Sequence, residues 1–591
     1  MKKVLPAFAL LLLTLLALPS GLLAQSYNYT LGWENAASHI YHVELQTATQ
    51  SGSHSDFQVP AWRPGRYYLQ DYAAGILDFS ASDQSGKALK WEKLDNNTWR
   101  VQNPSSGEIK VNYGFYANTM DAGSSVLNPS QAYFNPVNFF MHLRNEYSKT
   151  CTLTIKDMPA NWKAATAMTK VAGKNNVFTA SDYHEFVDCP TILSPSIKTL
   201  QKAIEGTTFY FHFQGEFKGG GETESAYLGS MEKMIREQRT IFGEFPMKEY
   251  HFIYQLLPYN MGHAVEHKNS ACFAMPNTVS ASPAAIGRLN SISSHEFFHL
   301  WNVKRIRPGM LWPYDYQKEI PTRLHWFTEG VTDYYTSLTL TRAGLYAQET
   351  YYKILSRTIQ ALESNYASQI VSPSKASIDS WLERSKYTPP YGHISYYTLG
   401  TRVGFLLDLK IRAMSDGKLS FDDVFLRLYQ DYYKKDRGME EDAIQTMVEK
   451  VTGESFADFF NKYVHGTAPI DYASFFSPFG LEVEVNELEN SGWQRVGIEK
   501  IKETDEGLFI ASIRPNSDAE MSGLGDQMLI FEVNGKPAKE FDDRDFFKKY
   551  KKPKTLQLKV ASDAGITEIA LVWKNSWVPK TYTVKEMAKA K

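Results

Sequence analysis

His295, Glu296 and His299 stand in the run HEFFH. On an α-helix, residues four apart share a face, so two imidazoles at this spacing can aim at one ion. Zinc takes imidazole nitrogen at about 2.0–2.1 Å, and catalytic zinc sites use three protein ligands plus a place for water. The metal lowers the pKa of that water toward roughly 7, so a neighbouring carboxylate is basic enough to take its proton. Glu296 is that carboxylate. With 14 His among 591 residues, chance would give such a run roughly 0.02 times in a chain this long. The flanks argue against an accidental solvated helix face. Phe297, Phe298, Leu300 and Trp301 make the segment apolar, and polar groups set in such surroundings need a partner.

A third ligand is required. Glu329 is the best candidate, in the aromatic helical segment Trp326 to Tyr335, 30 residues beyond His299. One carboxylate beside two neutral imidazoles leaves a zinc site at +1, enough to polarise a carbonyl. Asp333 falls one turn further along the same face. It is either an alternative ligand or a group that holds an imidazole from behind. His325 is a weaker alternative, read more readily as an ordinary interior or surface histidine.

The elements that must position these residues follow from pattern. Lys2 and Lys3, an apolar run from Val4 to about Leu18 and Leu22-Leu23-Ala24 before Gln25 read as an export signal over residues 1–24, implying a periplasmic or secreted protein. A membrane anchor is the alternative, but the run is short for spanning. No later segment is long and apolar enough to cross a bilayer. Residues 25–218 alternate with period two, as in Tyr41, Val43, Leu45 and Phe209, Phe211, Phe213, which predicts a β-sandwich-like domain. Gly219-Gly220-Gly221 marks a change to helical spacing. Residues 219–475 then read as the catalytic domain, with a strand at His251 to Leu257 and mostly helical patterns after Ser291. Residues 476–580 return to short strands, Leu508 to Ile513 and Met528 to Val533, and Asn534-Gly535 is a strong hairpin turn signal. The fold class expected is multidomain α+β.

Composition sets the outer limits. A chain of 591 residues exceeds one core and suggests three or four domains. A formal net charge of -2 gives no mark of a nucleic-acid binder. The three cysteines, Cys151, Cys189 and Cys272, show no metal spacing, and an odd count leaves at least one unpaired within the chain. A Cys151–Cys189 disulfide is open in an oxidising compartment.

The stretch Ser294 to Pro308, SHEFFHLWNVKRIRP, is similar to the signature of the glycyl aminopeptidase family of zinc peptidases. Trp62 to Tyr67 resembles a segment of that family's N-terminal β-domain, Phe459 to Pro469 resembles the end of its helical part, and Gly507 to Pro537 resembles a PDZ core. The resemblance implies a thermolysin-like catalytic domain, one Zn2+ per chain and a C-terminal PDZ-like domain able to take peptide C-termini by strand addition. It also implies an acidic residue that binds the substrate's free amino group, as in the related aminopeptidase N group. The family form is Gly-Gly-Leu-Glu-His. The matching stretch here is His263-Ala264-Val265-Glu266-His267, so Glu266 keeps the carboxylate while both glycines are replaced. The same relatives use a tyrosine as oxyanion donor. Tyr397 falls in register in Ser395 to Gly400, with Tyr396 as the neighbouring alternative. The function implied is removal of a small N-terminal residue, Gly or Ala, from peptides. Two rivals remain: a zinc endopeptidase of the same fold, with Glu266 structural, and a non-catalytic PDZ scaffold.

Overall fold

The computed structural model describes residues 26–382, 385–488, 491–550, 554–574 and 577–588. The export signal expected over residues 1–24 lies outside them. The chain divides into two compact units. The first holds the described residues up to Ser225 together with Pro246–Ile286 and Tyr314–Glu319; the second holds Ala226–Phe245, Gly287–Pro313 and the chain from Ile320 onward.

The first unit is β-rich. Strand Ser26–Gly32 buries Tyr27, Tyr29 and Leu31 and leaves the residues between them partly exposed. It pairs antiparallel with Ile40–Ala48 and parallel with Thr150–Ile155 inside a seven-stranded sheet. The high aromatic content has a structural use here. Tyr27, Tyr29, Tyr113 and Tyr183 bury their rings and donate their hydroxyls to the carbonyls of Glu146, Met141, Phe139 and Phe140 at 2.7–2.9 Å. Four tyrosines thus hold one buried segment, each matching an apolar ring to the core and a hydroxyl to an otherwise orphaned carbonyl.

A five-stranded mixed sheet follows, in the order Lys198–Ile204, Thr207–Gly215, Glu249–Leu257, Ser270–Pro276, His263–Glu266. Its strands lie on both sides of Gly219–Gly221, because Thr207–Gly215 and Glu249–Leu257 pair in parallel across the intervening helix. The edge strand His263–Glu266 pairs antiparallel with Ser270–Pro276, which fixes Glu266 opposite Ala271. Cys151, Cys189 and Cys272 are all buried, and no disulfide joins any two of them in this structure.

The second unit is mainly helical, with Gly287–Phe298, Thr332–Arg342, Gln348–Glu363, Tyr396–Met414, Phe421–Asp431 and Ala443–Thr452. Phe298, Phe327, Tyr335, Phe421 and Phe425 interlock as an aromatic core at ring separations of 4.7–6.3 Å. Residues beyond Leu481 return to β-structure. Ile498–Glu503, Leu508–Ile513, Leu529–Val533, Lys554–Ser562 and Gly565–Trp573 form a sheet around Ile510, Ile530, Phe547, Leu558 and Trp573. Asn534 (φ 52°) and Gly535 (φ 76°) close the two-residue turn that their sequence predicts, with Val533 opposite Lys536. The final ribbon, Leu481–Glu487 with Lys580–Glu586, is fastened to Gln348–Glu363: Ser356 Oγ and Gln360 Oε1 accept from the Val584 and Tyr582 amides at 2.8 and 2.9 Å. Among the described residues no helix is long and apolar enough to cross a membrane.

Candidate metal centre

Helix Gly287–Phe298 carries His295 and Glu296, and His299 sits in the turn that ends it, its amide still bonded to the His295 carbonyl. The helix is braced from behind. Gln238 donates to the carbonyl and hydroxyl of Ser294 at 2.8 and 2.9 Å, next to the first imidazole.

Glu329 arrives on an unusual element. Trp326–Val331 is a π-helical turn that leads directly into helix Thr332–Arg342. Such wide turns cluster at functional sites, because one extra residue per turn re-aims a side chain. Several contacts hold it, among them the Trp326 amide donating to Ser377 Oγ at 2.8 Å. Asn302 donates to the Phe327 carbonyl at 3.0 Å and to Thr332 Oγ1 at 3.2 Å. Helix Tyr396–Met414 packs backbone to backbone against it at two glycines: a Cβ on Gly400 would stand 2.0 Å from the Trp326 carbonyl oxygen, and one on Gly330 would stand 2.5 Å from Gly400 Cα. Thr401 Oγ1 also donates to the Gly330 carbonyl at 3.2 Å.

These elements bring His295, His299 and Glu329 together, with one ligand atom of each within 4.8 Å of the others. The Nε2 atoms of the two histidines are 3.0 Å apart, and Glu329 Oε2 lies 3.2 Å from His299 Nε2 and 3.7 Å from His295 Nε2. His295 Nδ1 sits 2.8 Å from Asp333 Oδ1, and His299 Nδ1 sits 2.6 Å from the Asn302 carbonyl. Both acceptors require Nδ1 to carry the proton. Two Nε2 lone pairs and a carboxylate oxygen therefore converge with no donor of their own, an arrangement that repels itself unless a cation sits among them. The electrostatics also call for positive charge here, since the carboxylates that would favour a metal ion favour a proton on His295 as well. Burial opposes charge on His295, yet Asp333, Glu329 and Glu296 push its pKa well above the ordinary value. Burial would raise the Glu329 carboxyl, but His299 and His295 hold it well below the carboxylate range. The residues fit a divalent metal.

The geometry also separates alternatives that the sequence left open. Asp333 backs His295 and is not in the three-residue group. His325 is fully buried, and burial pulls its pKa down to about 4; its ring lies 5.6 Å from that of Tyr396. Tyr397 stacks at 6.2 Å on His295, whereas Tyr396 stacks on Tyr397 at 4.9 Å, one ring further out. Glu296 is buried, with a carboxylate oxygen within 4.8 Å of the His299 ligand nitrogen.

Glu266 belongs to the first unit. It ends the edge strand, is buried, and its Oε1 makes no hydrogen bond among the described residues. Gly65, at φ +79°, passes so close that a Cβ there would stand 2.6 and 2.8 Å from its two carboxylate oxygens. His263, one of the residues in place of glycine, is engaged elsewhere: the Ala122 amide donates to its Nδ1 at 3.0 Å, and Arg66 lies 3.0 Å from its Nε2. Sequence reading assigned no role to Asn302, Gly330 or Gly400. The only available signal was the two glycines inside otherwise helical patterns.

Two family models match the chain: the Peptidase M61 N-terminal domain over residues 28–195 and M61 glycyl aminopeptidase over residues 288–403. The chain belongs to the M61 glycyl aminopeptidase family. The second match spans His295, Glu296, His299, Glu329 and Tyr397, while Glu266 lies between the two matched segments. Family membership and the metal-competent group together make the chain a metallopeptidase. No curated protein matches the sequence. An aminopeptidase N family protein from Idiomarina loihiensis has a similar structure, with a TM-score of 0.84 at 21% identity over 95% of this chain and 98% of that one. At that identity the likeness speaks for the fold. An M1 zinc metallopeptidase from Deinococcus radiodurans aligns with a TM-score of 0.46 at 16% identity, over 76% of this chain and 95% of that one.

Proposed function

We propose that the M61 chain is a zinc-dependent aminopeptidase that removes a small N-terminal residue, Gly or Ala, from peptides. The observation that carries this reading is the convergence of His295 Nε2, His299 Nε2 and Glu329 Oε2, with both Nδ1 protons pinned outward. One zinc ion per chain, held by these three residues, would polarise the substrate carbonyl and acidify water. The remaining steps belong to side chains. Glu296 takes a proton from the attacking water and returns it to the leaving amine. Tyr397 donates its phenol to the developing oxyanion, a contact typically worth about 3–4 kcal/mol. Asp333 and the Asn302 carbonyl hold the imidazoles in the tautomer that keeps Nε2 unprotonated. Glu266, with a buried carboxylate oxygen that bonds to no described residue, pairs with the substrate's ammonium group.

In this reading residues 1–24 direct export and the β-domain after Leu481 is PDZ-like. The deciding measurement is hydrolysis of glycyl, alanyl and leucyl amides by the mature chain, with a chelator control and with amino-blocked versions. Cleavage of glycyl or alanyl amide that is lost on blocking or chelation supports the reading. No cleavage of any amide sinks it, and equal cleavage of blocked substrates makes the protein an endopeptidase.

A further inference from the structure

The second unit carries a cavity of about 420 Å³ between Ile370 and Tyr396. Ile370, Leu382, Tyr387, Ile394 and Tyr396 line it, together with Ser380. Lys375 and Asp379 also face it, but they pair with each other. Ser385, Thr388, His393 and Ser395 add polar groups, but apolar surface makes up the larger part of the wall.

Three observations mark it as a binding site. Ile370, Leu382 and Tyr387 are 46%, 59% and 83% exposed, so three of the 16 large hydrophobics exposed among the described residues gather on one cavity. Water-exposed apolar surface concentrated in this way points to something that covers it. Ser380 is 3% exposed, and its Oγ makes no hydrogen bond among the described residues, so a buried hydroxyl stands ready for a polar atom of a peptide's main chain beside an apolar side chain. Two stacked rings link the cavity wall to the centre. Tyr396 forms part of the wall, its ring stacks on Tyr397, and Tyr397 stacks on His295.

We propose that this cavity holds the side chain of the substrate's second residue, the first residue of the leaving peptide, and that it selects large apolar or aromatic side chains. The inference rests on the exopeptidase reading above. An enzyme that anchors a free amino group has one residue on the amino side of the scissile bond. If that residue is Gly or Ala, a cavity of about 420 Å³ has no use there. It lies within the range of small-ligand sites, roughly 300–1,000 Å³, and accommodates the first large side chain beyond the cut.

The test compares kcat/KM for Ala-Phe, Ala-Leu and Ala-Gly amides. One methylene in an apolar pocket changes the rate roughly 10–200-fold, so the native chain should favour Ala-Phe or Ala-Leu over Ala-Gly at least about tenfold. The double variant Leu382→Ser/Tyr387→Ser, altered only at exposed positions, should bring that ratio to within about twofold. A native ratio near one overturns the proposal, and so does a variant that slows all three equally. A second arm measures equilibrium binding of the same amides to zinc-loaded Glu296→Gln protein by calorimetry. If no amide is cleaved, the exopeptidase reading fails. A binding preference for Ala-Phe that vanishes in the double variant would still place an apolar side chain in this cavity, and absence of any preference would exclude it.

Discussion

Substituting Gly400 by alanine tests what sets the distance between Glu329 and Tyr397. A methyl at Gly400 would lie 2.0 Å from the Trp326 carbonyl oxygen and 2.9 Å from Gly330 Cα. Cβ contacts below 3.0 Å essentially never occur, so the two backbones must part by about 1 Å, the difference between 3.0 and 2.0 Å. Neither neighbour is a side chain that can rotate away. The elements that part are the helix bearing Tyr397 and the π-turn bearing Glu329, so the displacement falls on the metal centre. Overpacking of this kind costs roughly 1–3 kcal/mol, and a misplacement of about 1 Å at reacting groups can cost about 100-fold in rate. Gly400→Ala should therefore lower kcat/KM on alanyl amide about 100-fold, weaken zinc retention and lower the thermal midpoint. Gly404→Ala, one turn along, provides the comparison. The atoms nearest its Cβ would be those of the Tyr334 side chain, at 3.1–3.2 Å, so a few tenths of an ångström suffice and the loss should stay within about threefold. Amide hydrolysis and zinc titration of both variants give the answer. Native-like activity in Gly400→Ala, or equal impairment of the two, would refute the claim that this backbone contact fixes the centre.

Glu296→Gln should retain zinc, measured by elemental analysis, while amide hydrolysis falls by roughly 10²–10⁴-fold; loss of zinc would make Glu296 structural. Asp333→Asn removes the negative charge from the acceptor 2.8 Å from His295 Nδ1 and should weaken zinc roughly 10–100-fold in competition with a chromophoric chelator. Unchanged affinity would show that the pair does not tune the ligand. Gly65→Ala would press a methyl to 2.6 Å from Glu266 Oε2 at φ +79°, and should raise KM for free-amino substrates while leaving zinc content intact; an unchanged KM argues against Glu266 as the ammonium site. His142 and His212 are buried and His251 is largely so, and desolvation lowers their pKa values from 6.5 to about 4, 3 and 4. The unfolded chain takes up these protons first, so their stabilisation is complete above about pH 6.5 and is lost as the pH falls toward 4, with His142 alone contributing about 3 kcal/mol. Denaturation midpoints across that range should fall with pH, and a flat profile would contradict neutral burial.

The parts of the centre legible in the sequence are those written in local spacing. Two imidazoles four residues apart need only a helix, and the apolar flanks of His295 supply one. Period-two burial in Tyr27, Tyr29 and Leu31 follows directly from the pleat. What escaped was set by contacts between distant segments. Thr207–Gly215 reads as a strand, but its parallel partner Glu249–Leu257 is separated from it by a whole helix, so no local pattern reveals that both share a sheet with Glu266. The π-turn at Glu329 has no period to detect either, since Trp326 to Tyr335 reads as an ordinary helix. Adjacent Tyr396 and Tyr397 are equivalent in composition and differ only by the turn of a helix. Which of them meets His295 is decided by the rotation of helix Tyr396–Met414 about its axis. That rotation is fixed where Gly400 lies against Trp326 and Gly330, with Thr401 Oγ1 bonded to the Gly330 carbonyl. The candidate residues stand out in the sequence because their types are rare and their spacing is short. Their relative placement does not, because it depends on where two backbones can touch, and the residue that permits the touch is the one with no side chain to read.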